Sequence, residues 1–300
     1  VKLGFGSAPI GNLYHAVPDD VAQRTVEAAY ASGIRYFDTA PHYGLGLAEI
    51  RLGRGLAGLP RDSFQVSTKV GRLLEPVTPS GQDLDAGFDV PATAVRRWDF
   101  SADGVKRSLE SSLDRLGLDR VDVVLLHDPD DHWQQAVDEA YPVLHEWRAQ
   151  GVVGAIGAGM NQWQMLHRFV TETDVDAVML AGRYTLLDRS AEARLLPACV
   201  ERGVKVLAAG VFNGGMLATD TPGELFDYQP ASAERVAQAK RIAEVCHEFG
   251  VSLPQAAIAF PARHQAVDSV VLGMASPEEV AANVALAAKP VPEDLWAALP

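Results

Sequence analysis

The chain has 300 residues, 48% hydrophobic and 22% charged, with a formal net charge of −13 from 26 basic and 39 acidic side chains. A chain this long buries roughly 75% of its unfolded surface without disulfide or metal staples. It has no apolar run long enough to span a membrane and no Lys/Arg-rich stretch able to neutralise a phosphate backbone, which excludes membrane embedding and nucleic-acid binding.

Short apolar runs alternate with longer amphipathic ones throughout. In chain order, the pattern predicts a strand at Leu3 to Gly6, a helix at Asp19 to Ser32, a strand at Ile34 to Asp38 and a helix at Leu45 to Ala57. A third strand at Phe64 to Lys69 is followed by a structureless stretch from Gly71 to Phe100, rich in Pro, Gly and Asp, and a helix at Ala102 to Leu116. Strands at Val121 to His127, Val153 to Gly157, Asp176 to Leu180, Val204 to Ala209 and Asp268 to Leu272 follow. Their helices are Trp133 to Ala149, Gln162 to Val170, Ala191 to Arg202, Ala231 to Phe249 and Pro277 to Leu286. Gly33, Gly117, Gly151, Gly203 and Gly250 stand where helix C-caps favour glycine. Cys199 and Cys246, far apart within helical patterns, are read as small buried hydrophobes. With no secretory pattern in "VKLGFGSAPIGN", a reducing, cytoplasmic setting is expected.

Near-continuous apolar strands, each followed by a helix, predict a parallel sheet covered on its outer face. At this length the closed (β/α)8 TIM barrel, as a single domain over residues 1–300, is the economical solution. A doubly wound open sheet is the rival, but "GFGSAPIGN" lacks the G-x-G-x-x-G spacing of a dinucleotide-binding turn. In a barrel, the 71–100 stretch overhangs the C-terminal mouth, where active sites of this fold are built, and it reads as a substrate-side flap.

Polar residues at strand C-termini are then the candidates for chemistry. Asp38, Lys69 and His127 end the second, third and fourth strands, and Tyr43 follows the second. Each alone has an ordinary explanation: a capping Asp, a snorkelling Lys, a satisfied core His. Together, three ionisable groups ending three successive apolar strands would be expensive to desolvate separately, which favours one shared site. An ammonium beside a phenol stabilises the phenolate, a carboxylate keeps that ammonium charged, and a neutral imidazole can orient a carbonyl or alcohol oxygen. Such a set suits reversible proton transfer at a C–OH/C=O centre, which needs a hydride partner.

"FDTAPHYG", "STKVG" and "LLHDPD" together resemble the aldo-keto reductases, NAD(P)-dependent oxidoreductases on a (β/α)8 barrel, and the resemblance spans nearly the whole chain. It implies that Asp38, Tyr43, Lys69 and His127 form the catalytic tetrad, with Tyr43 as general acid/base. It also implies that Tyr184 in "AGRYTLLDR" stacks on the nicotinamide and that Phe212, Asn213 and Gly215 in "AAGVFNGGML" wrap the pyrophosphate. Where many members have Ser-Asn to hold the carboxamide, this chain reads "IGAGMNQW", leaving Gly159 and Asn161; where many have Gln before the stacking Tyr, it has Ala181. The positions that commonly carry Lys and Arg for a 2′-phosphate correspond to Gly273 and Glu279, which implies NAD, with NADP as the alternative. Asn283 matches an adenine-side Asn, and Ser276, Pro277 and Glu279 also fit a helix capping box.

"FGSAPIGNLY" and the segment ending in "LLHDPD" resemble the family's sugar dehydrogenase branch, which includes L-fucose and D-threo-aldose 1-dehydrogenases and the related pyridoxal 4-dehydrogenases. A small sugar or pyridoxal-like substrate is implied, oxidised from hemiacetal to lactone. Candidate pocket residues are Leu13, Tyr14, His42, His132, Trp133 and Trp163. A metal-dependent hydrolase on the same barrel is disfavoured, because the histidines are scattered with no H-x-H on the first strand and no HExxH, so no metal is expected. A cofactor-sensing, non-catalytic protein is disfavoured by the complete tetrad.

Overall fold

The computed structural model describes residues 1–227 and 229–300. Its elements begin with β1 (Leu3–Gly6), α1 (Asp19–Ala31), β2 (Tyr36–Asp38), α2 (Leu47–Leu56) and β3 (Gln65–Val70). A hairpin of β4 (Arg72–Pro76) and β5 (Ala94–Trp98) precedes α3 (Ala102–Leu116), β6 (Val123–His127), α4 (Trp133–Gln135) and α5 (Tyr141–Ala149). Next come β7 (Ala155–Met160), α6 (Trp163–Glu172), β8 (Ala177–Ala181), α7 (Leu195–Arg202), β9 (Lys205–Ala209) and a short ribbon of β10 (Leu225–Phe226) and β11 (Gln229–Pro230). The chain ends with α8 (Ala233–Glu248), α9 (Leu253–Ala259), β12 (Val267–Gly273), α10 (Pro277–Ala288) and α11 (Glu293–Ala298). The barrel closes in the order β1-β12-β9-β8-β7-β6-β3-β2, with every neighbouring pair parallel. Among the described residues, no helix is long and apolar enough to cross a membrane.

Strand periodicity sorts the side chains into two layers. Tyr36, Val123, Leu125, Met179, Leu207 and Val271 form a cluster inside the barrel, while Phe37, Val66, Val124 and Leu126 belong to the larger core between strands and helices. The same parity turns Asp38, Ser67, Lys69 and His127 inward. Thr68 turns outward and donates to Glu49 Oε1 (2.8 Å), whose other oxygen accepts from Arg115 (2.6 Å), so a fully buried carboxylate joins β3, α2 and α3.

Three expectations need correction. The 71–100 stretch is not structureless: β4 pairs antiparallel with β5 from Arg72↔Trp98 to Pro76↔Ala94. The strands are separated by a long Pro- and Gly-rich connection, so no short hairpin turn signals them. The predicted helix at 133–149 is interrupted by a π turn at Ala136–Ala140, because Pro142 lacks an N–H for the regular ladder. Finally, α9 and α11 are absent from the predicted elements; both are only six or seven residues long, too short for a helical period to stand out.

Candidate active site

Asp38, Lys69 and His127 are almost fully buried, at 2%, 2% and 6% exposure. Register places them at successive heights: Asp38 lies beside Ser67, Lys69 beside Leu125, and His127 beside Gly159. The polar groups therefore climb the inner wall toward the mouth. Gly159 leaves this wall open, since a Cβ there would lie against Lys69 Cε (3.6 Å) and Met179 Cβ (3.3 Å).

Lys69 Nζ donates to Asp38 Oδ2 (2.6 Å), to the Thr39 carbonyl (3.0 Å) and to the Tyr43 hydroxyl (2.9 Å). Ser67, which the sequence reading did not single out, donates to Asp38 Oδ1 (2.7 Å) and so fixes the carboxylate. Its signal was parity, two residues before Lys69 on the same strand face. Burial works against the Lys69 ammonium, but Asp38 and Tyr43 outweigh it and hold the pKa above its ordinary value. Burial likewise pulls the Asp38 carboxyl up against Lys69 and Ser67, and the proton of the pair stays on the lysine.

Tyr43 corrects a simpler expectation. Lys69 does lower its pKa, yet burial is the larger effect and Asp38 adds to it, so the phenol is raised from its ordinary value. His127 is held well below the ordinary imidazole range by burial, then by Arg72 and Lys69, and is neutral. Its ring lies 6.1 Å from that of Tyr43, edge to face, with Nδ1 buried and unpartnered.

His42 lies beside this set, 5.7 Å from the His127 ring and 5.3 Å from Phe88. Burial and then Arg72 and Arg96 pull its pKa down to about 2. The flap lies over the mouth and is tied to the loop after β1. Leu13 bridges to Phe88, Tyr14 N–H donates to the Gly87 carbonyl (2.8 Å), and Asp89 N–H donates to the Asn12 carbonyl (2.9 Å). Leu13, Tyr14 and His42 are thus brought to the mouth, along with Phe88, Arg72, Arg96 and Asp128, which sequence reasoning missed. Arg72 and Asp128 directly follow "KVG" and His127, and their adjacency to the polar strand ends was the available signal.

The remaining pocket candidates divide. His132 packs between Trp98 (5.8 Å) and Phe100 (5.5 Å) at the flap base. Trp133 is not in the mouth: its ring packs on Phe169 (4.8 Å) under the Arg168 guanidinium (3.7 Å), between helices of the outer layer. Trp163 opens α6 and is part-buried against the outer core.

Tyr184, three residues past the end of β8, is buried at 5% exposure. It packs on Phe260 (5.0 Å) and His264 (5.9 Å). His264 lies in the turn three residues before β12.

The residues that would hold a dinucleotide cluster around the ends of β7, β8, β9 and β12. Asn161 Nδ2 donates to the Ala181 carbonyl (3.0 Å) and Asn213 Nδ2 to the Gly182 carbonyl (3.2 Å), while Asn213 Oδ1 is buried without a partner. Gly210, Asn213, Gly214 and Gly215 all adopt positive φ, so the loop that carries Phe212 turns tightly, with Asn213 N–H on the Gly210 carbonyl (2.9 Å) and Gly215 N–H on the Phe212 carbonyl (3.1 Å). Past the exposed Gly273, Ser276 Oγ accepts from Glu279 N–H (3.2 Å), and Glu279 Oε2 accepts from Ala275 N–H (2.8 Å). Glu279 thus serves in the N-cap of α10, with part-buried Asn283 one turn further on. The unpartnered amide oxygen and the left-handed loop fit a dinucleotide. Among the described residues, no group of three or more His, Cys, Asp or Glu could hold a metal ion.

Residues 2–299 match the Aldo/keto reductase family. The chain is 47% identical over 303 residues to D-threo-aldose 1-dehydrogenase of Pseudomonas sp, covering 99% of this chain and 92% of that protein. It is 39% identical over 316 residues to pyridoxal 4-dehydrogenase of Microbacterium luteolum, again covering 99% and 92%. The holo form of an aldo-keto reductase from Bacillus halodurans superposes with a TM-score of 0.77 at 26% identity, covering 98% of this chain and 89% of that one. The chain belongs to the aldo/keto reductase family, the nicotinamide-dependent oxidoreductases built on this barrel.

Proposed function

We propose that the chain oxidises the C1 hemiacetal of an aldose of the L-fucose type to its lactone. The observation that carries this reading is the single ammonium of Lys69 held between Asp38 and the Tyr43 hydroxyl, with neutral His127 facing the same phenol. The bound nicotinamide supplies the hydride acceptor. Tyr43, as phenolate, takes the hydroxyl proton while the C1–H bond breaks with its electron pair and the C=O bond forms. Lys69 stabilises the phenolate, Asp38 keeps Lys69 charged, and His127 orients the reacting oxygen. In the reductive direction the same phenol returns the proton.

An aldose is favoured over pyridoxal by the greater identity to the aldose dehydrogenase than to the pyridoxal enzyme. NAD is favoured over NADP because the Glu279 carboxylate, beside Ser276 at the start of α10, would repel a 2′-phosphate. Reduced-nicotinamide absorbance with L-fucose, D-arabinose, L-galactose and pyridoxal, each with NAD⁺ and NADP⁺, tests both points. Turnover of the sugars with NAD⁺ is expected. Turnover of pyridoxal alone would move the assignment to that substrate, and turnover of neither, with simple aldehydes reduced, would mark a general carbonyl reductase.

A further inference from the structure

Next to the tetrad stands an ion pair that the proton-transfer scheme does not use. Arg72, the first residue of β4, reaches Asp128, the residue after His127, through one nitrogen and one carboxylate oxygen. The other arginine of the flap behaves differently. Arg96 grips Asp83 with two nitrogens on two oxygens and also donates to the His42 carbonyl (3.0 Å), a closed structural set. The Arg72 pair is open by comparison: it rests on one nitrogen–oxygen contact, and the Asp128 side chain remains 25% exposed against 12% for Asp83. Both members are rigidly placed. The Arg72 guanidinium lies 4.0 Å over the ring of Trp98, its cross-strand neighbour, and Asp128 is held at φ 44 with its N–H on the Gly159 carbonyl (3.1 Å).

We propose that Arg72 and Asp128 form a subsite for the hydroxyl on the carbon next to the reacting one, so that the enzyme selects polyols with a vicinal hydroxyl. This rests on the aldose reading above. The reacting oxygen must sit within hydrogen-bond reach of Tyr43 and His127. Asp128 Oδ2 lies 3.7 Å from His127 Nε2, and vicinal sugar oxygens are separated by about one hydrogen-bond length. A substrate oxygen shared by Tyr43 and His127 therefore carries its neighbour to the Arg72–Asp128 pair. That neighbour donates its O–H to the carboxylate and accepts from the guanidinium, which matches the donor and acceptor capacity of a hydroxyl.

The test is the ratio of kcat/KM for a sugar and its 2-deoxy counterpart, D-arabinose against 2-deoxy-D-ribose and L-galactose against 2-deoxy-L-galactose. The wild type is expected to favour the hydroxylated member by about tenfold or more, because a site built for a hydroxyl rejects an analogue that leaves its polar groups unpaired. Asp128→Asn and Arg72→Lys are expected to bring that ratio close to one. Both sugars are measured on one preparation, so any misfolded fraction cancels, and the wild-type ratio is informative even if a variant fails to fold. Equal wild-type use of both sugars, or equal losses on both in the variants, would overturn the subsite while leaving aldose oxidation standing. Oxidation of pyridoxal with no turnover of any aldose would overturn the aldose reading and the subsite together.

Discussion

Lys69 Nζ donates to the Tyr43 hydroxyl at 2.9 Å and lies 4.7 Å from the centre of the same ring, so one cation interacts with both the polar tip and the aromatic body of the residue. Tyr43→Phe removes the tip and keeps the body. Turnover should fall by about 10²- to 10⁴-fold, while nicotinamide binding, read by fluorescence titration, should hold within about twofold. Near-normal turnover in this variant would remove Tyr43 from proton transfer.

The pH dependence has a defined sign. The Tyr43 pKa is raised, chiefly by burial, so the base form is scarce at neutral pH. Oxidative kcat/KM should climb by up to about tenfold per pH unit on the alkaline side of neutrality, while reduction declines as the phenol ionises. His127 is already neutral and adds no break near pH 6.5. A flat oxidative profile between about pH 6 and pH 10 would contradict a Tyr43 base.

Asp38 and Lys69 stabilise each other only as a pair. Lys69→Met leaves a buried carboxylate without its cation, and denaturant unfolding should show a loss of about 3–5 kcal/mol. The double variant Lys69→Met with Asp38→Asn should recover much of that loss, since no bare charge remains. A double variant no more stable than the single one would mean the pair is not the source of the penalty.

Glu279 has two roles to separate. Glu279→Arg should shift preference toward NADP⁺ and, by losing the acceptor for Ala275 N–H, lower stability by about 0.5–2 kcal/mol. Glu279→Gln keeps a capping acceptor without the charge, so stability should be retained while discrimination against NADP⁺ weakens. An unchanged NAD⁺/NADP⁺ ratio in both variants would leave Glu279 a capping residue alone.

Gly71 joins β3 to the flap at φ +99, and a Cβ there would lie 2.1 Å from the ring of the fully buried Phe100. Gly71→Ala should therefore displace the flap base, which carries Arg72. Calorimetry should show a lower Tm and kinetics a raised KM for the sugar, whereas an unaltered KM would separate the flap from substrate binding.

The alternation of apolar strands and amphipathic helices was enough to specify the barrel, because parallel strands buried on both faces and helices with one apolar face leave few other packings. The polar strand ends Asp38, Lys69 and His127 were legible for the same reason: an ionisable group in an apolar run stands out. Tyr184 shows where such reading stops. It follows β8 in an irregular loop, and its packing on Phe260 and His264, far along the chain, is a contact that no local period records. Trp133 likewise continues a helical period, and that period turned it to the outer layer.

By itself, the sequence determined which residues must share the barrel interior, since the two-residue period of β3 and β6 commits Ser67, Lys69, Leu125 and His127 to one face. Only the tertiary structure decided what closes over them. The flap hairpin, its bond to the loop after β1 and the approach of Arg72 to Asp128 join segments distant in the chain, and no local period records such pairings. The barrel follows from patterns repeated along the chain, whereas the shape of its mouth follows from contacts between parts that local propensity treats independently.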